Sequence, residues 1–255
     1  MLDYAIVVPS RARAHNMPTI RALFPSAIVC VDEREKEDYA KEVPADKLLL
    51  HPPMDGFAVC VNWIMDAVKA PILIFVDDDC TGVRVRTGSF RFIEDPEEIL
   101  AILENAATAC SELGLTTFAF SRTMNRAMIK PDEIPIRPIS YLSNVFGIMG
   151  AARHRKMDPK YAGRNAIDLT LRTLLEDRVI YGECRFYFEC GPVFSGRGGN
   201  VGLVSNERFV QSTRNLVETW GKCVQTKPLP FRKNFTVESM RLTVSRTNAP
   251  GAEMK

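Results

Sequence analysis

The chain has 255 residues, of which 46% are hydrophobic and 25% are charged, and its formal net charge is +2 at pH 7. This composition is typical of a folded globular protein and argues against a disordered or fibrous class. A single core stops growing at roughly 250 to 300 residues, so we expect one domain with a tail. Seven scattered cysteines without a CxxC pair indicate buried thiols in a reducing compartment. The sequence shows neither a signal peptide nor an apolar run of about 18 residues, so we expect no membrane partner and a cytoplasmic location.

The charges are distributed unevenly along the chain. Residues 32–46 hold seven acids against three bases, whereas residues 121–164 hold nine bases against three acids. The basic segment is consistent with a surface that faces a polyanion and equally with an ordinary solvated face. Both interpretations stay open at this point.

The first third of the chain alternates short apolar runs with helical patterns, which is typical of βαβ units and a largely parallel sheet. Apolar runs predict strands at residues 4–8, 27–31, 47–50 and 71–76. Apolar residues spaced i, i+4, i+7 predict a helix over residues 55–68, facing the sheet. A shorter helix is expected to begin near residues 16–18.

The remaining two thirds contain further strand and helix signals, with loops between them. Asp95 as a cap, Pro96 in the first position and Glu98 as a capping-box partner predict a helix start, and Gly114 predicts its end. Strands are predicted at residues 83–86, 89–93, 116–120, 144–149 and 185–188, and helices at 166–175 and 206–224. Prolines exclude a regular helix between residues 121 and 142, and five glycines between 191 and 202 predict a ligand-covering loop. An added strand is expected near residues 237–244 of the tail.

Three adjacent aspartates, Asp77, Asp78 and Asp79, directly follow the most apolar predicted strand. In open α/β sheets, ligands bind beyond the carboxyl ends of the strands. Neighbouring carboxylates repel one another unless a cation neutralises them, and hard oxygen ligands suit Mg²⁺ or Mn²⁺ rather than zinc. The triplet therefore predicts a metal site, although an Asp-rich turn after a strand is the simpler alternative.

Other polar residues follow the first two predicted strands. Arg11 and Arg13 come after the first strand, where they can bind phosphate or stack on a base. Asp32 or Glu33 ends the second strand and can accept hydrogen bonds from a ribose or a base edge. Together with the aspartate triplet, these positions favour a nucleotide-binding edge of the sheet.

In chain order, Pro9-Ser10-Arg11, Asp32-Glu33, Asn62 and Asp77-Asp78-Asp79 resemble the nucleotide-sugar half of GT-A glycosyltransferases. The resemblance implies a GT-A type α/β fold with a mostly parallel central sheet flanked by helices, a UDP-sugar donor and Mn²⁺ or Mg²⁺. It implies a domain at 1–225, divided into a nucleotide-sugar half at 1–80 and an acceptor half at 81–225, before a basic tail at 226–255. It assigns nucleotide-sugar binding to Pro9, Ser10, Arg11, Arg13, Asp32, Glu33, Asn62, Asp77 and Asp78, and metal binding to Asp77 and Asp79.

The opening VVPSRARAHN, the DGF..CVNW segment, the triple Asp and Trp220-Gly221-Lys222 are most similar to bacteriophage DNA-base glycosyltransferases associated with TET/JBP-type hydroxylases. This similarity implies that the acceptor is a 5-hydroxymethylpyrimidine in DNA, within the host cytoplasm. Contacts from Lys and Arg to phosphate supply most sequence-independent DNA affinity. The predicted acceptor contacts are Arg153, His154, Arg155 and Lys156.

Asp168 lies in a Leu-rich helix start that resembles the one carrying the catalytic base of inverting GT-A enzymes. The resemblance makes Asp168 the candidate base, where the family usually has a Glu-Asp pair and this chain has Ala166-Ile167-Asp168. The alternative is that Asp168 only favours an early helical turn through the helix dipole. Glu176 and Asp177 are the next candidates on the same segment.

Two other functions remain possible from the sequence. A sugar-phosphate nucleotidyltransferase would share the sheet and the metal site, but such enzymes usually begin with a Gly-rich loop, and residues 10–14 contain no glycine. A non-catalytic nucleic-acid-binding protein would need no cluster of three acids in a basic face. The sugar, the nucleotide and the stereochemistry of transfer stay open.

Overall fold

The computed structural model describes residues 2–86, 90–121, 124, 136–138, 142, 144–191, 198–199, 203–228 and 238–242. The strands of this part of the chain are β1 Tyr4–Pro9, β2 Ile28–Asp32, β3 Leu48–His51, β4 Ile72–Val76, β5 Cys80–Val85, β6 Phe92–Ile93, β7 Thr117–Ser121, β8 Ile136–Pro138, β9 Val145–Met149, β10 Tyr181–Cys190, β11 Val224–Pro228 and β12 Glu238–Leu242. The α-helices are α1 Met17–Leu23, α2 Lys36–Tyr39, α3 Phe57–Ala67, α4 Pro96–Glu112, α5 Asn165–Glu176 and α6 Asn206–Trp220.

One large sheet runs through the molecule in the order β3-β2-β1-β4-β9-β7-β10-β5-β6, and β8 pairs with β10. Its first four strands are parallel to one another. Strand β9 then runs antiparallel to both β4 and β7, and β10 is parallel to β7 but antiparallel to β5. The predicted α/β sheet is confirmed, but its parallel part ends at β4 and the rest is mixed. An apolar run predicts a strand buried on both faces without predicting the direction of that strand.

The central strands pack apolar layers against both faces of the sheet. In β4, where every side chain is buried, Ile72 and Ile74 lie in one layer with α1 and α4. Leu73 and Phe75 lie in the opposite layer with α3 and α5. This alternation follows from the two-residue period of a strand, and each fully buried side chain of this kind contributes about 1.5 to 3 kcal/mol.

A smaller apolar cluster joins α6 to α5 on the outside of the second layer. Leu171 of α5 packs with Leu216 and Trp220 of α6, and all three side chains are buried. The predicted tail strand corresponds to β12, which pairs with β11 in a separate two-stranded sheet.

The start of α4 has the capping geometry that the sequence predicts. The carboxylate of Asp95 accepts hydrogen bonds from the backbone N–H groups of Glu97 and Glu98 at 2.9 and 3.0 Å. Gly114 follows the helix with a φ of +67°, a conformation that glycine adopts readily. In a capping box, the Glu98 side chain would accept a hydrogen bond from the backbone N–H of Asp95. Here it forms an ion pair with Arg91 instead.

In the described part of the chain, no helix combines the length and the apolar character needed to cross a membrane. All seven cysteines are free thiols, and Cys30, Cys80, Cys110 and Cys184 are buried.

Candidate active site

The aspartate triplet follows β4 near the middle of the large sheet, between the end of β1 and the end of β10. Strands β1 and β4 are parallel neighbours, so the loop after β1 and the triplet lie at the same edge. This edge brings together Ser10, Arg11, Arg13 and the triplet, as the sequence predicts.

Asp78 anchors the loop after β1. Its carboxylate accepts a hydrogen bond from Ser10 Oγ at 2.6 Å, and the hydroxyl of Tyr39 lies 2.7 Å from the same Oγ. Because the Ser10 proton is directed to Asp78, the Tyr39 hydroxyl donates to Ser10, and it accepts from the backbone N–H of Arg13 at 3.0 Å. Asn16 Nδ2 donates to the Asp78 carbonyl at 3.0 Å. Asp78 is thereby occupied with holding the loop in place.

Arg13 brings a positive charge onto the triplet. Its Nη1 donates to Asp78 Oδ1 at 2.6 Å and to Asp79 Oδ2 at 3.0 Å. Burial by itself lowers the pKa of this guanidinium, but the charges of Asp78 and Asp79 outweigh burial and raise the pKa. Arg13 therefore stays protonated in the site.

Asp77 and Asp79 form the part of the triplet that can hold a cation. A carboxylate oxygen of each and the Sγ of Cys190 all lie within 4.8 Å of one another. Asp77 is densely surrounded by protein atoms, and this desolvation, followed by repulsion from Asp79 and Asp78, raises its pKa well above the ordinary value. Burial also raises the pKa of Asp79, against the opposing effect of Arg13. A divalent cation would relieve this repulsion, so the residues fit the predicted metal.

Gly199, in the glycine-rich segment 191–202, contacts the loop after β1. The Gly199 N–H donates to the carbonyl of Arg11 at 2.8 Å, and Arg11 Nη1 donates to the carbonyl of Gly199 at 3.1 Å. Ala12 has a positive φ of +53°, and its N–H donates to Glu35 Oε2 at 2.7 Å. The rest of the predicted covering loop, residues 192–197 and 200–202, lies outside the described residues.

Asp32 ends β2 and Glu33 follows it, as predicted, but the two side chains differ in environment. Arg34 donates to Asp32 through Nε at 2.8 Å and through Nη2 at 2.6 Å, and the Met54 N–H donates at 3.3 Å. These hydrogen bonds, with that from the Arg34 side chain the largest, lower the pKa of Asp32 despite its burial. Glu33 is exposed and begins a short 3₁₀ turn.

Asn62 forms hydrogen bonds with the segment after β9. Its Nδ2 donates to the carbonyl of Met157, and its Oδ1 accepts from the N–H of the same residue, both at 2.8 Å. The side chain therefore holds α3 against the segment after β9. Both ends of the Asn62 amide thus have a partner within the chain, and its nucleotide-sugar contact stays a prediction.

The predicted acceptor set also has structural partners within the chain. Arg153 donates to the carbonyls of Met65, Val68 and Ala70 at the end of α3, where helix carbonyls lack partners of their own. The structure therefore does not support an acceptor-phosphate role for Arg153.

The next two basic residues are also engaged. Arg155 is buried between Glu176 and Asp177 at 2.6 and 2.5 Å, and Lys156 binds Asp66 at 2.5 Å. Arg155 is thus held inside the fold, whereas Lys156 forms a surface ion pair and stays a predicted acceptor contact. His154 is exposed and stays a predicted acceptor contact.

Asp168 has no exposed surface. Trp220 Nε1 donates to one carboxylate oxygen at 3.0 Å, and Arg172 Nε donates to the other at 2.8 Å. A general base must come within hydrogen-bond reach of the acceptor hydroxyl, whereas this carboxylate joins α5 to α6. The alternative candidates Glu176 and Asp177 bind Arg155.

Four residues of the site carry no clear signal in the sequence: Asn16, Glu35, Tyr39 and Cys190. Tyr39 lies on a helix of a single turn, and its position over Ser10 depends on how that turn packs on β2. Cys190 comes to the triplet because β10 pairs with β5. The sequence indicates only that a strand ends near Cys190, because Gly191 follows the predicted strand at 185–188.

The profile of the TET-associated glycosyltransferases matches residues 4–181, from β1 to the first residue of β10. The chain belongs to the TET-associated glycosyltransferase family. The predicted resemblance is thereby confirmed, and this family member is a glycosyltransferase. Family membership sets aside the nucleotidyltransferase and the non-catalytic binding protein. Among curated protein sequences, none matches.

Solved glycosyltransferase structures share the fold of this family member. The TarS structure from S. aureus, residues 1–349, has 13% identity and a TM-score of 0.51, with 85% of this chain and 65% of that chain covered. This chain thus spans less than two thirds of that structure. Glucosyl-3-phosphoglycerate synthase from Mycobacterium tuberculosis with Mg²⁺ and UDP has 12% identity and a TM-score of 0.53, covering 95% and 87%. The same enzyme with Mn²⁺, UDP-glucose and phosphoglyceric acid has 14% identity and a TM-score of 0.53, covering 94% and 89%. These likenesses concern the fold, and they confirm the predicted GT-A type.

Proposed function

We propose that this TET-associated glycosyltransferase transfers a sugar from a UDP-sugar to the hydroxyl of a 5-hydroxymethylpyrimidine in DNA, with Mn²⁺ or Mg²⁺ held by Asp77 and Asp79. The observation that carries the proposal is the pair of carboxylates at the end of β4, which lie close together, so that burial and then mutual repulsion disfavour the charged form of Asp77. Two carboxylates at the carboxyl edge of an α/β sheet are suited to a hard divalent cation that also binds phosphate.

The loop after β1 supports the donor part of the proposal. Ser10 and Asp78 fix its backbone, and Arg13 holds a permanent positive charge beside Asp79. A divalent cation, when bound, neutralises charge on the diphosphate leaving group. Asp77 and Asp79 would hold that cation, while Arg11 and Arg13 supply donors suited to phosphate oxygens. The similar synthase structures contain UDP or UDP-glucose with Mg²⁺ or Mn²⁺, which favours UDP as the nucleotide.

The DNA acceptor rests on different grounds. Association with TET-type hydroxylases points to hydroxymethylpyrimidines as acceptors. Because Arg153 and Arg155 bind within the protein, we assign the phosphate contacts to the other bases of the 121–164 segment, including Lys156 at the surface. Four of these lie outside the residues whose side chains are described: Arg122, Arg126, Lys130 and Arg137. Free cysteines support the proposed cytoplasmic location.

A single assay tests donor and acceptor together. The protein is incubated with Mn²⁺, a panel of UDP-sugars, and DNA that contains 5-hydroxymethylcytosine, 5-hydroxymethyluracil or unmodified bases, and the nucleosides are analysed by mass spectrometry. We expect one sugar on a hydroxymethyl nucleoside, none on unmodified DNA, and no transfer after chelation of the metal. The absence of sugar from every hydroxymethyl nucleoside would overturn the acceptor, and transfer that persists after chelation would overturn the metal.

A further inference from the structure

The end of β10 forms one wall of the candidate cation site. The Sγ of Cys190 lies within 4.8 Å of carboxylate oxygens of both Asp77 and Asp79. The N–H of the next residue, Gly191, donates to the Asp79 side chain, and a Cβ at Gly191 would lie only 3.0 Å from Asp79 Oδ2. Cys190 and Gly191 thus border the carboxylates.

The position of Cys190 is set by the sheet. Strand β10 runs antiparallel to β5 and places Cys190 opposite Cys80, the residue directly after the triplet. The register shifts between Glu189 and Cys190, and such irregularities re-aim side chains next to functional sites. The same ladder therefore fixes the thiol and the end of the triplet relative to each other.

The spacing of these three atoms is close to that of ligands around one cation. Oxygen ligands lie ~2.1 Å from Mg²⁺, so two ligands on opposite sides of such an ion are ~4 Å apart. Atoms that already lie within 4.8 Å of one another need only small side-chain shifts to share an ion.

We propose that Cys190 is a third protein ligand of the cation held by Asp77 and Asp79, and that its sulfur favours Mn²⁺ over Mg²⁺. Carboxylates accept both ions, whereas thiolate sulfur selects softer metals, so one sulfur in an oxygen site shifts the preference away from Mg²⁺. The thiol releases its proton to solvent as the sulfur binds the metal. This inference rests on the cation site of the proposed function and adds a ligand and a metal preference to it.

The test uses Cd²⁺ as a probe, because a bond from thiolate sulfur to Cd²⁺ gives an ultraviolet charge-transfer band. The full-length chain is titrated with Cd²⁺ in the presence of UDP, and difference spectra are compared with those of Cys190→Ser. The thiols of Cys30 and Cys60 contact each other and could also bind Cd²⁺, so Cys60→Ser serves as the matched control. Cys80→Ser tests the cross-strand neighbour. We expect the band that depends on UDP to be lost in Cys190→Ser and kept in both other variants.

Calorimetry measures the second consequence. We expect Cys190→Ser to reduce the ratio of Mn²⁺ to Mg²⁺ affinity by about tenfold, within the range that changes around a metal site produce. If Cys190→Ser keeps both the band and the ratio while Asp79→Asn abolishes cation binding, the ligand role of Cys190 is overturned and the proposed cation site stands. If the parent protein binds neither Mn²⁺ nor Cd²⁺ with UDP, the cation site itself falls together with the role of Cys190.

Discussion

The three adjacent aspartates have different surroundings, although they share one motif. Asp78 is buried and paired with Ser10 and Arg13, whereas Asp77 and Asp79 lie together beside Cys190. Substituting Asp78 therefore removes loop contacts, and substituting Asp79 removes charge from the candidate cation site.

Asp79→Asn should weaken Mn²⁺-dependent UDP binding by tenfold or more, on the order of changes at metal sites, and abolish transfer while leaving the fold intact. The free energy of unfolding should not fall, because the substitution removes one of two carboxylates that repel each other. Calorimetric titration of UDP with and without Mn²⁺ measures the affinity, and urea unfolding measures stability. Asp78→Asn is the comparison, since it should lower the free energy of unfolding by about 1 to 3 kcal/mol. Equal UDP affinity in Asp79→Asn and the parent would contradict the metal site.

For Asp168→Asn we expect a loss of stability of about 1 to 3 kcal/mol, because an amide nitrogen would face one of its two donors, Trp220 Nε1 or Arg172 Nε. A general base would instead lose ~10²- to 10⁴-fold in kcat with normal stability. Urea unfolding and kcat, measured on the same preparation, separate the two roles. Trp220→Phe is the control, since it removes the N–H partner and should destabilise without a base-like fall in kcat. Unchanged stability with the larger fall in kcat would restore Asp168 as the base.

Helix ends explain why Arg153 and Arg155, in the basic cluster after β9, do not face an acceptor. The last carbonyls of a helix lack partners, and a cationic side chain there also interacts favourably with the helix dipole. Arg153 occupies this position at the end of α3, and Arg155 is enclosed by the carboxylates of Glu176, the last residue of α5, and Asp177.

Arg153→Ala should therefore lower the free energy of unfolding by about 2 kcal/mol or more, since it leaves three carbonyls without a charged donor. The salt dependence of DNA binding should stay unchanged, because no phosphate contact is lost. Thermal or urea unfolding and DNA titrations at several salt concentrations measure the two effects. His154→Ala, an exposed neighbour, provides the stability control. A flatter salt dependence with normal stability would return Arg153 to the acceptor surface.

The contact between the glycine segment and the loop after β1 gives a further prediction. Gly198 and Gly114 both have positive φ, so alanine at either position incurs about 1 to 2 kcal/mol of backbone cost. A Cβ at Gly198 would also lie 2.5 Å from the Arg11 carbonyl oxygen, whereas one at Gly114 meets nothing within 4 Å. Gly198→Ala should thus weaken UDP binding by displacing the loop after β1, and Gly114→Ala should not. Calorimetry measures the UDP affinity of both variants. Equal affinities would show that the contact between Gly198 and Arg11 does not affect donor binding.

The predicted nucleotide-sugar and acceptor halves share one continuous sheet. Strand β4 of the first half pairs with β9 of the second, and the long strand β10 bridges β7 and β5. Strands β1 to β4 lie together at one end of this sheet, and the β4–β9 pair joins them to the strands of the second half.

The described sheet should therefore unfold in one cooperative transition. The two tryptophans report on different regions, with Trp63 on α3 and Trp220 at the end of α6. In each single-tryptophan variant, Trp63→Phe and Trp220→Phe, the urea midpoint from fluorescence should coincide with that from far-UV circular dichroism. Separated midpoints in either variant would indicate that the halves unfold independently.

Local patterns were sufficient to predict much of this fold. The apolar run of β4, the helical spacing of α3 and the cap at Asp95 are properties of neighbouring residues, and the structure has each of them within a few positions. The order of polar groups after successive strands likewise pointed to the site at Ser10, Arg13 and the triplet. Parallel strands bring their carboxyl ends to the same edge of the sheet. Polar residues that follow successive parallel strands can therefore be predicted from the sequence to lie close together.

Only the tertiary structure decided which partner each charged or polar side chain takes. Asn62 meets Met157, Arg153 meets the end of α3, and Asp168 meets Trp220, through contacts that join segments 52 to 95 residues apart. The direction of β9 and the approach of Cys190 to the triplet depend on sheet pairing in the same way. Periodicity and turn chemistry act over a few residues, whereas a buried charge is satisfied by whichever group the packing of distant elements places beside it.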